Sequence, residues 1–302
     1  MSLRLGVVCA VVDDHGQVLL SKRGDLNVWN LPGGRLDAGE ALADGAAREV
    51  REETGVVVQV ERPVNLYYWA GWQRMNVLFA GWPLGGELRQ RTSETRANQY
   101  FPPAALPKML NPGLVADALA EQRPLPQVIE MSPRELRRVR RRLSWRWITN
   151  LMRGRPEPRY PRFNVRVSGL IWDKAHQRVV TLPGKRGRVL PRVTCTGVQA
   201  PWHELNELVH QSCRLNPQWC WVGLWQDAPR NLLEFVFAAT VPEQALPGRV
   251  EWSNTQYVAL SDREMGYVER VQPGYENAAI WTIVHEAQVG HGDTLQPDDT
   301  KD

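Results

Sequence analysis

Between Gly34 and Val56 the chain reads GRLDAGEALADGAAREVREETGV. Glu49, Glu52 and Glu53 stand at i, i+3 and i+4, the spacing that puts side chains on one face of a helix. Like charges at this spacing cost helix stability, and a divalent cation that neutralises them is a reason for a chain to keep them together. An all-oxygen donor set selects hard Mg²⁺ or Mn²⁺ over softer metals. Just upstream, Gly33 and Gly34 let the backbone approach closely and leave the Gly33 carbonyl available as a further ligand. Arg48 can pair with a neighbouring carboxylate and hold it in position. Ala43, Ala47 and Val50 lie farther round the same helix and suit burial.

The segment resembles the Nudix (MutT-like hydrolase) signature, G-x5-E-x7-R-E-U-x-E-E-x-G-U with U aliphatic. Gly34, Glu40, Arg48, Glu49, Val50, Glu52, Glu53, Gly55 and Val56 fill every fixed position, and the approach Trp29-Asn30-Leu31-Pro32-Gly33-Gly34 matches the usual lead-in. Asp37 stands where many members have glutamate. The resemblance covers about residues 3–122. It implies that Glu52, Glu53 and the Gly33 carbonyl ligate Mg²⁺ (or Mn²⁺), and that Glu49 binds a second metal or activates water. It also implies that Arg48 orients a glutamate, that Gly34, Glu40 and Gly55 shape the loop and helix, and that Arg23 contacts substrate phosphates. The implied reaction is metal-dependent attack of water on a phosphorus of a nucleoside diphosphate linked to another group. Nucleoside triphosphates, nucleotide sugars and dinucleoside polyphosphates all fit that description. Many members carry a further catalytic glutamate before the last strand; here only Glu94 is placed to serve. The downstream proline of ADP-ribose hydrolases and the tyrosine of dinucleoside tetraphosphate hydrolases are absent at their spacings.

The elements that must position these residues are short and mixed. Leu5 to Val12 reads as a strand, Asp13-Asp14-His15-Gly16 as a turn, and Gln17 to Ser21 as a second strand. A helix from about Ala41 to Glu53 closes at Gly55, Val56–Val60 and Met75–Trp82 read as strands, and Asn111–Gln122 has helical spacing with Pro112 at its start. The expected fold is α/β in the α+β layered sense, a mixed sheet between helices, with a first domain at 1–122. Tyr67, Tyr68, Trp69 and Trp72 are either base-stacking or packing aromatics.

Residues 123–164 read as a Pro- and Arg-rich helical linker, with a helix from about Ser132 to Met152. Leu136, Val139, Leu143, Trp147 and Leu151 share one face. From 134 to 166 there are twelve arginines and two acids, a local charge of +10 that leaves −6 for the rest of a chain whose net is +4. Such a helix packs between domains with its arginines solvated, the favoured expectation, or lies on nucleic acid or a membrane. A second class of function follows from it: a non-catalytic nucleotide-sensing or RNA-associated protein that uses the arginines on phosphates.

From 165 to 288 the first layout recurs. Val165–Asp173 resembles Leu5–Asp13, Leu190-Pro191 echoes Leu31-Pro32, Lys185-Arg186-Gly187 echoes Lys22-Arg23-Gly24, and Val236–Pro242 matches Val77–Pro83. Asn277–Ala287 is the expected counterpart of the 111–122 helix. Aligned so, Gln199, Glu207, Leu208, Gln211 and Ser212 oppose Glu40, Arg48, Glu49, Glu52 and Glu53, and the metal cluster is gone. The expectation is a tandem of two Nudix-like domains, the second without activity, able to stand in for a dimer partner; an unrelated α+β domain is the other reading. Residues 289–302 have almost no apolar side chains and are expected to be disordered.

With 302 residues, 43% hydrophobic and 23% charged, the chain can bury two cores, and composition excludes fibrous and disulfide-dense classes. No apolar run reaches membrane-spanning length and no signal peptide is evident, so a cytoplasmic protein with reduced Cys9, Cys195, Cys213 and Cys220 is expected. His285-Glu286 with His291 lacks metalloprotease spacing, and Gly184-Lys185-Arg186-Gly187 lacks that of a P-loop.

Overall fold

In the run Arg4–Val11 (β1), Leu5, Val7, Cys9 and Val11 point to one face and Val8 and Ala10 to the other, and all are buried. An apolar run of this kind belongs in the middle of a sheet covered on both faces. In the computed structural model β1 pairs in parallel with β6 (Arg74–Gly86) and antiparallel with β4 (Gly33–Arg35). The structure describes residues 3–285 apart from 25, 153, 155–159, 186, 243 and 272. The expected disordered tail and the motif at 286–291 therefore lie outside the described residues.

β5 (Val56–Trp69) pairs antiparallel with β6 and continues well past Val60, because bulges near Val58, Arg62 and Asn65 absorb the irregularity around Pro63. β8 (Gln127–Ile129) lies within the expected linker, yet it joins β5 in parallel as a fifth strand. Asn65 Nδ2 donates to the Leu125 carbonyl (3.0 Å) and Gln127 Nε2 to Asp117 Oδ2 (2.9 Å), drawing this stretch onto the sheet beyond residue 122. A small second sheet has β2 (Val18–Arg23) between β3 (Trp29–Asn30) and β7 (Thr95–Phe101). The helix α1 (Leu42–Thr54) covers one face and α2 (Gly113–Leu119) the other.

The second unit repeats every one of these pairings. β9 (Asn164–Trp172) is parallel to β14 (Leu232–Thr240) and antiparallel to β12 (Arg192–Thr194). β13 (Cys220–Asp227) is antiparallel to β14 and parallel to β16 (Trp281–His285). β10 (Arg178–Gly184) lies between β11 (Gly187–Val189) and β15 (Glu251–Asn254), and α4 (Pro201–Cys213) stands where α1 does. The counterpart of α2 is α5 (Asp262–Arg270), not Asn277–Ala287. Ser261 and Glu264 form a reciprocal capping box that starts α5, and the later stretch is committed to β16, the equivalent of β8.

Between the units runs α3 (Pro133–Met152). Leu136 lies against Gly71 and Arg140 Nη2 donates to the Gly71 carbonyl (3.0 Å). Farther along the expected apolar face Trp147 and Leu151 are 52% and 49% exposed, so these two do not pack as expected; the side chains of Val139 and Leu143 lie outside the described ones. One buried cluster is continuous across both units, from Leu5, Val77 and Leu66 to Val167, Leu224 and Phe235. All four cysteines are free thiols, with Cys9, Cys213 and Cys220 buried. Among the described residues no helix is long and apolar enough to cross a membrane.

Candidate active site

α1 ends at Gly55, whose left-handed φ of +80° returns the chain into β5. The helix places Arg48, Glu49, Glu52 and Glu53 on the side facing β4. Gly34 is required there: a Cβ at this position would lie 2.3 Å from Glu49 Oε2. Arg48 is the hub. Its Nε and Nη2 grip Glu40 (2.7 and 3.0 Å), Nη1 reaches Glu49 (3.1 Å) and Glu52 (3.2 Å), and Nη2 also donates to the Arg35 carbonyl (3.0 Å). Glu40 in turn accepts from the Asp37 amide (3.1 Å), which fixes the loop. Hydrogen bonding to Glu40 pushes the guanidinium's pKa up, so the hub stays charged.

Glu49 and Glu53 are buried carboxylates. Glu49 Oε1 accepts the Arg35 amide and Glu53 Oε2 the Gly33 amide, each at 3.1 Å. Burial pushes Glu53 up to about 8, opposed by the Gly33 amide and by the charge of Arg23, and aggravated by Glu49 and Glu94. Burial also raises Glu49, with Arg48 pulling the other way and Glu52 and Glu94 adding to the rise. Arg23 is thus within electrostatic reach of Glu53, and Glu94 of both carboxylates; Glu94 itself is exposed, its carbonyl held by the Gly24 amide (3.1 Å). Glu52 departs from the expected convergence. Its side chain is 57% exposed and drawn onto Arg48. Accordingly, among the described residues no three acidic, histidine or cysteine side chains converge as a ready metal cluster. Even so, the donor set fits a hard divalent cation. Two desolvated carboxylates with a third carboxylate charge nearby favour neutralisation, and every donor is oxygen.

Several supporting residues were not evident in the sequence. Thr95 Oγ1 and Asn98 Nδ2, from β7, donate to the Glu53 carbonyl (3.1 and 2.8 Å) and hold the end of α1. The start of α1 has no side-chain cap of its own at Ala41. Gln226 of the second unit supplies one: its Oε1 accepts the Leu42 amide (3.1 Å) while Nε2 donates to the Glu40 carbonyl (2.8 Å). Asn231 Oδ1 likewise accepts the Gly39 amide (2.8 Å).

Beside the carboxylates opens a cavity of about 720 Å³, lined by Arg23, Asn30, Gly33, Trp69, Trp72 and Arg74 among others. Trp69 and Trp72 stack with centroids 5.8 Å apart. Asn30 Oδ1 and Trp69 Nε1 are buried there without a hydrogen-bond partner among the described residues. Arg74 donates to Asn76 Oδ1 and the Gly34 carbonyl, both at 2.9 Å. Of the four aromatics flagged, Trp69 and Trp72 thus line the cavity. Tyr67 and Tyr68 are buried, Tyr67 on Asp117 and Tyr68 on the Gly197 and Val198 carbonyls (3.0 Å each).

In the second unit α4 is α1 displaced by 159 residues at both ends (42 to 201, 54 to 213), and Arg214 takes the left-handed position of Gly55. Gln199, Glu207, Leu208, Gln211 and Ser212 then occupy the places of Glu40, Arg48, Glu49, Glu52 and Glu53. Glu204, one turn into α4, accepts from the Thr196 amide (2.9 Å) as Glu40 does from Asp37.

A helix of carboxylates clamped by one arginine thus stands beside a cavity lined by arginines and tryptophans. The family profile described as NUDIX domain matches residues 2–120. A Bacillus subtilis (strain 168) protein provisionally named 8-oxo-dGTP diphosphatase is 35% identical over 107 residues, 35% of this chain and 72% of its own length. A MutT-like protein of Streptomyces ambofaciens is 34% identical over 99 residues, 33% of this chain and 64% of its own. Among solved structures, a NUDIX hydrolase from Nitrosomonas europaea is 21% identical, covering 43% of this chain and 81% of that one, with a TM-score of 0.40. The chain belongs to the Nudix family, and with these relatives it is an enzyme of the pyrophosphohydrolase type.

Proposed function

We propose that the first unit hydrolyses a phosphoric anhydride in a nucleoside diphosphate linked to a further group, with Mg²⁺ or Mn²⁺ held by Glu49, Glu52, Glu53 and the Gly33 carbonyl. The observation that carries this reading is the five-bond clamp of Arg48 on Glu40, Glu49, Glu52 and the Arg35 carbonyl, beside buried Glu53 and opening onto the cavity. A divalent cation bound there neutralises the phosphoryl oxygens and the charge that develops as the anhydride breaks. The chain's residues do the rest. Arg23 meets the phosphates, Trp69 and Trp72 offer a face to a base, and the buried Oδ1 of Asn30, unpartnered among the described residues, supplies an acceptor. Glu49 takes the proton of the attacking water at a carboxylate oxygen; Glu94, exposed and within electrostatic reach of Glu49 and Glu53, is the other candidate for that role.

We read the second unit as a degenerate copy, retained for what it holds rather than for chemistry. A purely sensing protein would have no use for an intact carboxylate set, so hydrolysis is the better reading. A turnover screen with Mg²⁺ over nucleoside triphosphates (8-oxo-dGTP included), ADP-ribose, other nucleotide sugars and dinucleoside polyphosphates tests it. Glu53→Gln, which removes charge and little volume, should keep the melting temperature and lose on the order of a hundredfold in turnover. Full activity in that variant, or no hydrolysis by the wild type with either metal, overturns the proposal.

A further inference from the structure

One side of α3 stays exposed along its length. At 3.6 residues per turn Arg134, Arg137, Arg141, Trp145, Ile148 and Met152 fall within a sector of about 80°, and all six are exposed. Leu136 and Arg140, which hold the helix to Gly71, lie about 100–140° away from the centre of that sector. The one acid of α3, Glu135, lies outside it too, bonded back to the hydroxyl and amide of Ser132 (2.7 and 3.1 Å).

The sector is divided lengthwise. Its first half carries guanidiniums, and its last two turns carry Trp145, Ile148 and Met152, which are 68%, 42% and 82% exposed. Leu151 and Trp147, each about half exposed, widen the apolar half to about 160° and leave an indole at either edge. An anionic bilayer surface matches this pattern. Guanidiniums sit among lipid phosphates, indoles at headgroup level, and aliphatic side chains in the acyl boundary. Single-stranded nucleic acid fits less well: bases stack on aromatic rings, which would leave Ile148, Leu151 and Met152 in water. A second copy of the chain also fits less well. Parallel two-fold pairing of α3 sets arginine on arginine, and antiparallel pairing buries arginine against apolar side chains.

We infer that α3 is a membrane-surface anchor, which holds anionic phospholipid through Arg134, Arg137 and Arg141 and inserts Trp145, Ile148 and Met152. Docking of this kind is independent of what the active site hydrolyses. Arg140 and Ser144 of the same helix line the active-site cavity, so a docked helix holds that cavity beside the lipid headgroups.

The test mixes the full chain at low salt with phosphatidylcholine vesicles, with or without roughly half phosphatidylglycerol, and floats them on a density gradient. The protein should float only with the anionic lipid and be released as salt rises. Arg134→Glu, Arg137→Glu and Arg141→Glu together should cost on the order of a hundredfold in affinity, at about fivefold for each arginine at an anionic surface. Trp145→Ala, Ile148→Ala and Met152→Ala together should weaken binding about tenfold or more and leave its salt dependence in place. All six positions are exposed, and an unchanged melting temperature shows that each variant is folded. A polarity-sensitive dye on Met152→Cys should shift to the blue with anionic vesicles, whereas the dye on Glu121→Cys should not. No flotation with anionic lipid, or flotation unaffected by loss of the three apolar side chains, overturns the inference. So does binding of single-stranded RNA without binding of vesicles, which would give the helix to nucleic acid. A dimer that the apolar substitutions dissolve, in a chain that vesicles do not retain, overturns it as well and gives the face to a second copy.

Discussion

Arg48 has five N–H donors, and all five are used on Glu40, Glu49, Glu52 and the Arg35 carbonyl. A lysine keeps the charge but offers three donors from a single point, and it cannot span two sides of the loop. Arg48→Lys should therefore fold normally and lose about 10–100-fold in turnover, with a raised Mg²⁺ requirement, measured as kcat against metal concentration. A turnover within twofold of wild type would show that the charge alone suffices. The clamp was legible in the sequence because Glu40, Arg48, Glu49, Glu52 and Glu53 lie within a span of fourteen residues whose geometry is set by one loop and one helix. Asn30, Arg74 and Asn98 were not. They reach the site from separate strands, and their place depends on sheet register, which no spacing along the chain encodes. The outward turn of Glu52 was hidden for a related reason: helical spacing predicts a shared face, not which partner each carboxylate takes.

α1 depends on a neighbour for its first turn. Replacing Gln226 by Leu strands the Leu42 amide and the Glu40 carbonyl, a loss of about 1–3 kcal/mol by the usual cost of unpaired buried groups. Because Glu40 anchors Arg48, Gln226→Leu should also lower kcat several-fold, leaving KM nearly unchanged. Gln211→Ala, exposed on α4, should alter neither, and kinetics beside urea unfolding would separate the two. A second element-level prediction concerns the turn from β9 to β10. Asp173 is buried, which opposes ionisation, yet the Arg178 and Gln177 amides and the Arg178 side chain hold its pKa below the usual carboxylate range. A depressed native value contributes stability above the unfolded pKa of about 3.9 and loses it as pH falls through the native one. Asp173→Asn should thus be less stable than wild type at neutral pH, and the gap should close below about pH 4. A gap that is constant with pH would remove the charge from this account. The same turn, with Asp13 in the first unit, was readable from its residues. The true partner of α2 was announced by Ser261 and Glu264, but a constant offset pointed past it because the connection from β15 to α5 is shorter than that from β7 to α2.

At the scale of the molecule the two units hold each other reciprocally. Tyr68 from β5 donates to the Gly197 and Val198 carbonyls before α4, and Gln226 from β13 holds the loop before α1. With a buried cluster continuous through both, neither unit is expected to stand alone. Calorimetry of the full chain should give one transition, with calorimetric and van't Hoff enthalpies in agreement. Residues 1–131 expressed by themselves should expose that cluster and aggregate; a soluble, two-state fragment would show that the units are independent. The repetition was visible in the sequence as paired segments at a near-constant offset, whereas the mutual grip was not, since it joins residues more than a hundred positions apart. The cysteines follow from the same arrangement. Burial lifts Cys9 to about 12 and Cys213 to about 11, so neither offers a thiolate near neutrality while the chain is folded. One sits on β1, an interior strand of the first unit, and the other at the end of α4 in the second, which makes the pair a built-in clock: if both halves open together, alkylating reagent should consume the two thiols at a single shared rate.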